Sequence, residues 1–351
     1  MNGRVERLRS ELERLKVSSF LVSNPVNVRY LIGFESSNAF VLVQHEDVVL
    51  MTDGRYAEAA RAVENVDAQI VERDFLPGLA KRLGELADGP VGFESDHLTF
   101  ARHADLVSAG VELVPLTAVP LTLRAVKEPG ELDAIRQAAQ VVDRVLERFA
   151  EERFVGMPEA AVAWWIVDAI HDEGAEDISF PPIVGSGPNA ALPHHHPGDR
   201  KLGAGETIVV DLGAKVDGYC SDCTRTFATG ELPDSLRGAY DVCRRAQQAA
   251  LDEVRAGADT QALDTIARME IEAAGHEVLH GLGHGVGLEV HELPVLRQTA
   301  AGSLTAGNVV TIEPGVYLAG SGGVRIEDLV VVTEDGAEVL SRYTKDLVTL
   351  N

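Results

Sequence analysis

Residues 280–292 read HGLGHGVGLEVHE: three histidines and two glutamates threaded with four glycines. His280 and His284 are four apart, a spacing that would stack two imidazoles on one helix face over a metal. Glycines at 281, 283, 285 and 287 rule that helix out, at roughly 1 kcal/mol each relative to alanine. The segment is expected instead to run extended or looped, pressed close to another part of the chain where a Cβ would not fit. Whatever the rest of the protein is, it must give His284 and His291 something to face.

Composition limits the choices. The 351 residues carry a net charge of −24 and 45% hydrophobic content. That suits one to three domains with a real core and argues against nucleic acid, whose phosphates it would repel. No apolar run reaches the roughly 18 residues of a membrane span. The first segment, MNGRVERLRSELERL, is charged and amphipathic rather than a secretory leader, with Val5, Leu8, Leu12 and Leu15 on one helical stripe. A cytoplasmic protein is the expectation. Cys220 and Cys223 have CxxC spacing, but the one further cysteine, Cys243, falls on a helical stripe with Leu236, Tyr240, Ala250 and Val254. All three read as core rather than as zinc or redox groups.

Residues 1–122 alternate apolar strands (SSFLVS, AFVLVQ, VVLMTD, VDAQIVE, PVGFE, VELVPL) with helical stretches such as GRYAEAARAV, 76–87 and 98–109. This predicts an α/β domain with a flanked sheet. Its lone histidines, His45, His97 and His103, read as surface or capping groups. Lys127-Glu128-Pro129-Gly130 breaks the pattern, and Pro129 suits a helix start. Over 123–351 the order helix, helix, strands occurs twice. Helices are expected from Pro129, from about Pro158 to Gly174, from Asp234 to Arg255, and from an N-cap at Thr260 to Gly275. Strand-like segments are ISFPPIVGS, ETIVVDLGAKV, GYCSDCTRTFATG, NVVTIEPGVYL and GGVRIEDLVVVTE. This is an α+β domain with two pseudo-equivalent halves.

Four acids interrupt those strands. Asp211 ends TIVV, Asp222 shares a strand face with Thr224 and Thr226, Glu313 precedes Pro314-Gly315, and Glu327 is two residues from Arg325 on a shared face. Read separately, they are strand-end acids with water or Arg225 and Arg325 as partners. Read together, they are too costly to bury without cations. Four carboxylates balance two divalent ions, with neutral His284 as a further ligand. Such a pair activates water against amides and phosphates. A mostly oxygen set with one imidazole suits Mn²⁺, Co²⁺ or Zn²⁺.

IVVDLGA, GYCSDCTRTF, ALPHHHP, HGLGHGVGLEVHE, TIEPGVY and GGVRIEDLVVV, in this order, resemble the pita-bread metallopeptidases: proline dipeptidases, aminopeptidase P and methionine aminopeptidases. The resemblance covers essentially the whole chain. SNPVNVRYLIGFESSNAFVLV and LMTDGRYAEAA resemble the creatinase-like N-terminal domain of the proline-specific members. The resemblance implies that Asp211 binds one metal, that His284 and Glu313 bind the other, and that Asp222 and Glu327 bridge. It implies that Glu313 shuttles the proton of a bridging hydroxide, and that His194 and His291 serve the leaving and carbonyl sides of the substrate. Arg325 supports the site and is counted among its substrate-binding residues. His195 and His196 read as incidental, and His280 as structural or part of the pocket wall. The implied protein is a homodimer with two divalent ions per subunit, Mn²⁺ or Co²⁺ and third Zn²⁺. Its substrates are short peptides with proline second, cut after the first residue. The alternatives are an inactive binding protein on the same fold, a nonmetal creatinase-type amidinohydrolase, and an aminopeptidase of broader specificity. The first two are disfavoured because all five ligands are present, and a metal analysis separates them.

Overall fold

The computed structural model describes residues 3–71 and 75–350, leaving out the end of the VDAQIVE segment at Glu72. By internal contacts the chain divides into two units, Met1–Arg124 and Ala125–Asn351. The first begins with α1 (Gly3–Leu15), whose Val5, Leu8 and Leu12 are buried as the stripe requires, while Leu15 is only partly covered. It continues through β1 (Ser19–Val22), α2 (Pro25–Ile32), β2 (Ala39–Gln44), β3 (Val48–Asp53), α3 (Ala57–Arg61), β4 (Asp67–Val71), α4 (Phe75–Leu86), β5 (Val91–Glu94), α5 (Phe100–Ser108), β6 (Leu113–Leu116) and α6 (Val119–Ala125). The strands form one mixed sheet in the order β4-β3-β2-β1-β5-β6. Where GRYAEAARAV suggested a single helix, Gly54–Tyr56 form a 3₁₀ turn, with Asp53 accepting from the Arg55 N–H, and α3 follows. His97 is exposed and meets Ser23 Oγ at 3.2 Å.

The second unit carries α7 (Pro129–Glu151), α8 (Glu159–Asp172), β7 (Asp177–Ile178), β8 (Ile183–Ser186), β9 (Thr207–Leu212), β10 (Ala214–Val216), β11 (Tyr219–Cys220) and β12 (Cys223–Ala228). The pattern then repeats with α9 (Asp234–Leu251), α10 (Thr260–Ala273), β13 (Gly283–Gly285), β14 (Glu292–Leu296), β15 (Val309–Ile312), β16 (Gly315–Leu318), β17 (Gly322–Arg325), β18 (Asp328–Val332) and β19 (Ala337–Val339). Pro129 occupies the first turn of α7, as expected of a residue with no N–H to lose. Each half has its own core. Val145, Phe149, Ile166, Ile208 and Val210 lie in one, and Ala246, Leu263, Ile271, Val310 and Val330 in the other. This is the two-half α+β pita-bread arrangement. Two helix ends differ from expectation. The N-cap of α10 is Asp259, which accepts from the Ala262 N–H at 2.8 Å; Thr260 starts the helix and turns its hydroxyl to Ala300 O. α9 stops at Leu251 rather than Arg255.

The strands that carry the acids are interrupted. β9 pairs antiparallel with β12, and between them the chain leaves through β10 and β11. β15 pairs antiparallel with β18, and between them it leaves through β16 and β17. Asp211 lies one residue from the end of β9 and Asp222 immediately precedes β12. Glu313 immediately follows β15 and Glu327 immediately precedes β18. Asp222 and Glu327 were expected inside strands, yet both lie in breaks. Proline at 314 brings no N–H to a ladder, and Gly213 at the first break has no room for a Cβ against Ser221 O. Each half therefore delivers one acid at the exit of a strand pair and one at the return.

Candidate metal centre

β13 lies between β14 and β15, and its glycines explain how it fits. A Cβ on Gly283 would strike Thr311 O, and one on Gly285 would strike Leu293 O. His284, between them, donates its backbone N–H to Thr311 Oγ1 at 3.0 Å. Its Nδ1–H donates to Gly285 O at 3.1 Å, so Nε2 is the ring atom that faces the acids, bonding Glu313 when protonated and able to ligate a metal once that proton is lost. Nε2 lies 3.2 Å from Glu313 Oε1 and 3.6 Å from Asp222 Oδ2. Ligand atoms of Asp222, His284 and Glu327 all fall within 4.8 Å of one another.

Arg325 joins Asp211 to this group. Its Nη2 donates to Asp211 Oδ2 at 2.6 Å and its Nε to Thr224 Oγ1 at 3.0 Å. Thr224 passes its own hydrogen to Glu327 Oε2 at 2.7 Å. Arg325 and Glu327 do not share a strand face, because β17 ends at Arg325; they meet through Thr224. The other guanidinium contacts go to Pro193 O at 3.0 Å and Tyr317 Oη at 3.3 Å. These bonds describe an arginine that places Asp211. Tyr317 donates to His280 Nε2 at 2.8 Å, and His280 Nδ1 donates to Gly281 O at 2.8 Å, so His280 forms part of the wall.

Two observations test whether divalent ions fit. Asp211 Oδ1 and Glu327 Oε1 are buried with no hydrogen-bond partner, and unpartnered buried oxygens of this kind need a cation or a proton. Three of the four acids lean toward the protonated form. Burial, then the charge of Glu327, pushes the Asp222 carboxyl well above its ordinary range. Burial, then the charge of Glu313, does the same to Glu327, and burial raises Asp211 more modestly against the pull of Arg325. Glu313 goes the other way: burial opposes ionisation, but the hydrogen bond and charge of His284 outweigh it and hold the acid at about 2. His284 is raised in return, burial being outweighed by its bond to Glu313. A set of four carboxylates and one imidazole, with spare oxygens and displaced pKa values, fits hard divalent ions.

The histidines beyond the ligand set separate. His291 is exposed, with its ring 4.4 Å from that of His284 and edge-on to it. His194 is exposed and close enough for its charge to be felt at both His280 and His291. His196 is exposed as well. His195 is not incidental: its Nε2 donates to Glu159 Oε2 at 2.8 Å, and Glu159 is completely buried. A second unexpected pair is Lys127 and Glu292, 3.1 Å apart with both side chains 1% exposed. Glu292 also accepts from the Glu289 N–H at 3.1 Å, and Gly287 leaves room for its carboxylate. This ties down the loop that carries His291. Neither pair had a local sequence signal, since 36 and 165 residues separate the partners. The CxxC cysteines are free and buried, and their thiols turn to backbone carbonyls, Cys220 to Leu288 O and Cys223 to Glu327 O; burial raises both thiols.

The chain matches two family models: the creatinase/prolidase N-terminal domain over residues 4–126 and metallopeptidase family M24 over 133–334. An uncharacterized peptidase of Bacillus subtilis, YqhT, is 33% identical, with 99% of this chain and all of that one aligned. Among solved structures, an Xaa-Pro dipeptidase from Bacillus anthracis superposes with a TM-score of 0.94 at 33% identity, covering 99% of each chain. An X-Pro aminopeptidase from Thermotoga maritima does so with 0.88 at 32% identity, covering 96% of this chain and 99% of that one. The acids, His284 and the interrupted strands thus stand in a chain that belongs to metallopeptidase family M24, a hydrolase family, with a creatinase/prolidase N-terminal domain.

Proposed function

We propose that this protein is a dinuclear exopeptidase that hydrolyses the bond between an N-terminal residue and a following proline in short peptides. Asp211, Asp222, His284, Glu313 and Glu327 would hold two divalent ions, Mn²⁺ or Co²⁺ first and Zn²⁺ third. When bound, those ions would act as Lewis acids on the scissile carbonyl and activate water. The observation that carries the reading is the convergence of Asp222, Glu313 and Glu327 on His284, with Asp211 joined to them through Arg325 and Thr224 and two buried oxygens left unpartnered.

The protein groups have separate tasks. Glu313, 3.2 Å from His284 Nε2, would take a proton from the attacking water and return it to the leaving nitrogen. His291, beside His284, reaches the carbonyl side, and His194 the leaving side. Arg325 holds Asp211 in place from behind.

Proline after the cut makes the scissile bond a tertiary amide with no N–H to offer. A site that acts on the carbonyl does not need that hydrogen, whereas a peptidase that grips the substrate backbone does. The Xaa-Pro activities named for the Bacillus anthracis and Thermotoga maritima structures support this choice. The free α-amine, near a carboxylate-rich centre, favours removal of one residue. The test is a peptide panel with elemental analysis. Ala-Pro and Ala-Pro-Xaa should release alanine in the presence of Mn²⁺ or Co²⁺, and N-acetylation should abolish it. Ala-Ala should be slower by at least about tenfold in kcat/KM, roughly 1.4 kcal/mol of transition-state binding. Equal rates on Ala-Pro and Ala-Ala would overturn the proline assignment and leave the peptidase; one tightly bound metal per chain would overturn the dinuclear one.

A further inference from the structure

His194 occupies the corner of a tight turn. The His195 N–H donates to Leu192 O at 3.2 Å, which closes Leu192-Pro193-His194-His195 with proline at the second position, where its fixed φ suits a turn. Both residues beside His194 are tied to buried charges. On one side, Pro193 O accepts from Arg325 Nη1. On the other, the His195 ring, 12% exposed, donates to Glu159 Oε2 at 2.8 Å.

Glu159 is built to hold that ring. It is the first residue of α8 and completely buried. Its Oε1 accepts from the Ser186 N–H at 2.8 Å and the Ser186 hydroxyl at 2.6 Å, and the Asn189 amide reaches both oxygens at 3.1 and 3.0 Å. Arg200 Nη1 donates to Ser186 Oγ at 2.6 Å. Ser186 and Asn189 flank and enter the 3₁₀ turn Gly187–Ala191 that leads into the histidines. Burial opposes the charge on Glu159, but the Ser186, His195 and Asn189 bonds outweigh it, and the carboxyl stays below its ordinary range. The donor from His195 therefore lands on a fixed, ionised acceptor.

We propose that the Glu159–His195 pair is a positioning device for His194: by drawing one imidazole of the HHH run inward onto a rigid carboxylate, it fixes the turn that projects the preceding imidazole outward. This rests on the reading that His194 serves the leaving side of the substrate. His195 touches no substrate in this scheme and acts through its neighbour. A misplacement of the order of 1 Å at His194 is enough to cost a large factor in rate.

The test uses the full protein, loaded with Mn²⁺ or Co²⁺ for kinetics on an Ala-Pro-Xaa peptide and with diamagnetic Zn²⁺ for histidine-ring NMR. His195→Ala should lower kcat about tenfold with KM changed by less than about threefold, and the His194 ring signals should shift or broaden. His195→Gln, whose amide can donate to Glu159, should restore most of kcat and the His194 signals. In a His194→Ala background, His195→Ala should cost nothing further. Unchanged His194 signals in His195→Ala, or additive losses in the double variant, would overturn the proposal and leave the pair as a fold-stabilising contact. Shifted His194 signals with unchanged kcat would uphold the positioning and overturn the role of His194 in the reaction.

Discussion

Glu327 uses one oxygen on Thr224 and leaves the other buried without a donor. Replacing it by glutamine keeps the volume but removes a charge and an oxygen ligand. Glu327→Gln should lose turnover by a factor of about 10² or more and bind metal more weakly; normal activity with full metal content would remove Glu327 from the ligand set. The displaced pKa values give a second expectation. Asp222 and Glu327 are raised in the bare fold, by burial first and neighbouring carboxylates next. A raised acid keeps a proton that the unfolded chain has lost. Its contribution to stability is thus complete below the unfolded value, about 4, and is lost as pH rises through the folded one. His284, also raised, has the same sign, its contribution fading as pH climbs past about 6.5. Glu313, held at about 2, has the opposite sign, but its contribution is already complete above about 4.5. The gain in Tm from Mn²⁺ over chelator should therefore be small near pH 5 and grow toward pH 8. Thermal melts at several pH values check this; a gain independent of pH would count against these carboxylates as ligands.

The element that matters most is β13, three residues long and tightly enclosed. Gly283 lies where a Cβ would meet both the carbonyl and the side chain of Thr311, and Thr311 is also the residue that receives the His284 N–H. Gly283→Ala should cost about 3 kcal/mol in stability and displace His284, lowering metal occupancy. Denaturant unfolding and elemental analysis measure both; a variant as stable and as fully loaded as the parent would mean that β13 and β15 can move apart freely. The glycine spacing announced this close approach. The strand breaks were harder to see. NVVTIEPGVYL and GGVRIEDLVVVTE look like single apolar runs, and only the pairing of β16 with β17, apart from that of β15 with β18, turns them into two elements each.

The two halves of the second unit are stapled beside the acids. Arg225 on β12 pairs with Asp328 on β18 at 2.9 Å, both essentially unexposed, and also donates to the carbonyl of Glu327. Gln247 and Lys345 complete the shell of Asp328 at 3.0 and 2.7 Å. The Glu327 N–H reaches Thr224 O, and Thr226 Oγ1 reaches Arg325 O. The staple thus holds one acid from each half at a fixed spacing. Arg225→Met would leave Asp328 buried with part of its compensation gone. We expect a loss of about 3–5 kcal/mol in stability and weaker metal binding, read by denaturant unfolding and metal titration. Loss of stability with unchanged metal affinity would show that the staple serves the fold alone.

The residue types of the site were legible along the chain, because each acid stands out inside an apolar run and His284 stands among glycines. The helices of the second unit were legible for a similar local reason: stripes such as Ile135, Ala139, Val142, Leu146 and Phe149 record burial on one face at helical spacing. What local pattern does not contain is the partner of a buried charge. Arg325 looks like a neighbour of Glu327, yet it bonds to Asp211, 114 residues earlier. His195 looks like the middle of a repeat, yet it is fixed by Glu159. An ionic or hydrogen-bond partner is chosen by the folded path of two distant segments, and nothing in either segment alone encodes the other. The sequence by itself therefore determined which groups the protein brings to its candidate site, and only the tertiary structure decided which of them bind one another, which stay unpartnered, and which hold the others in place.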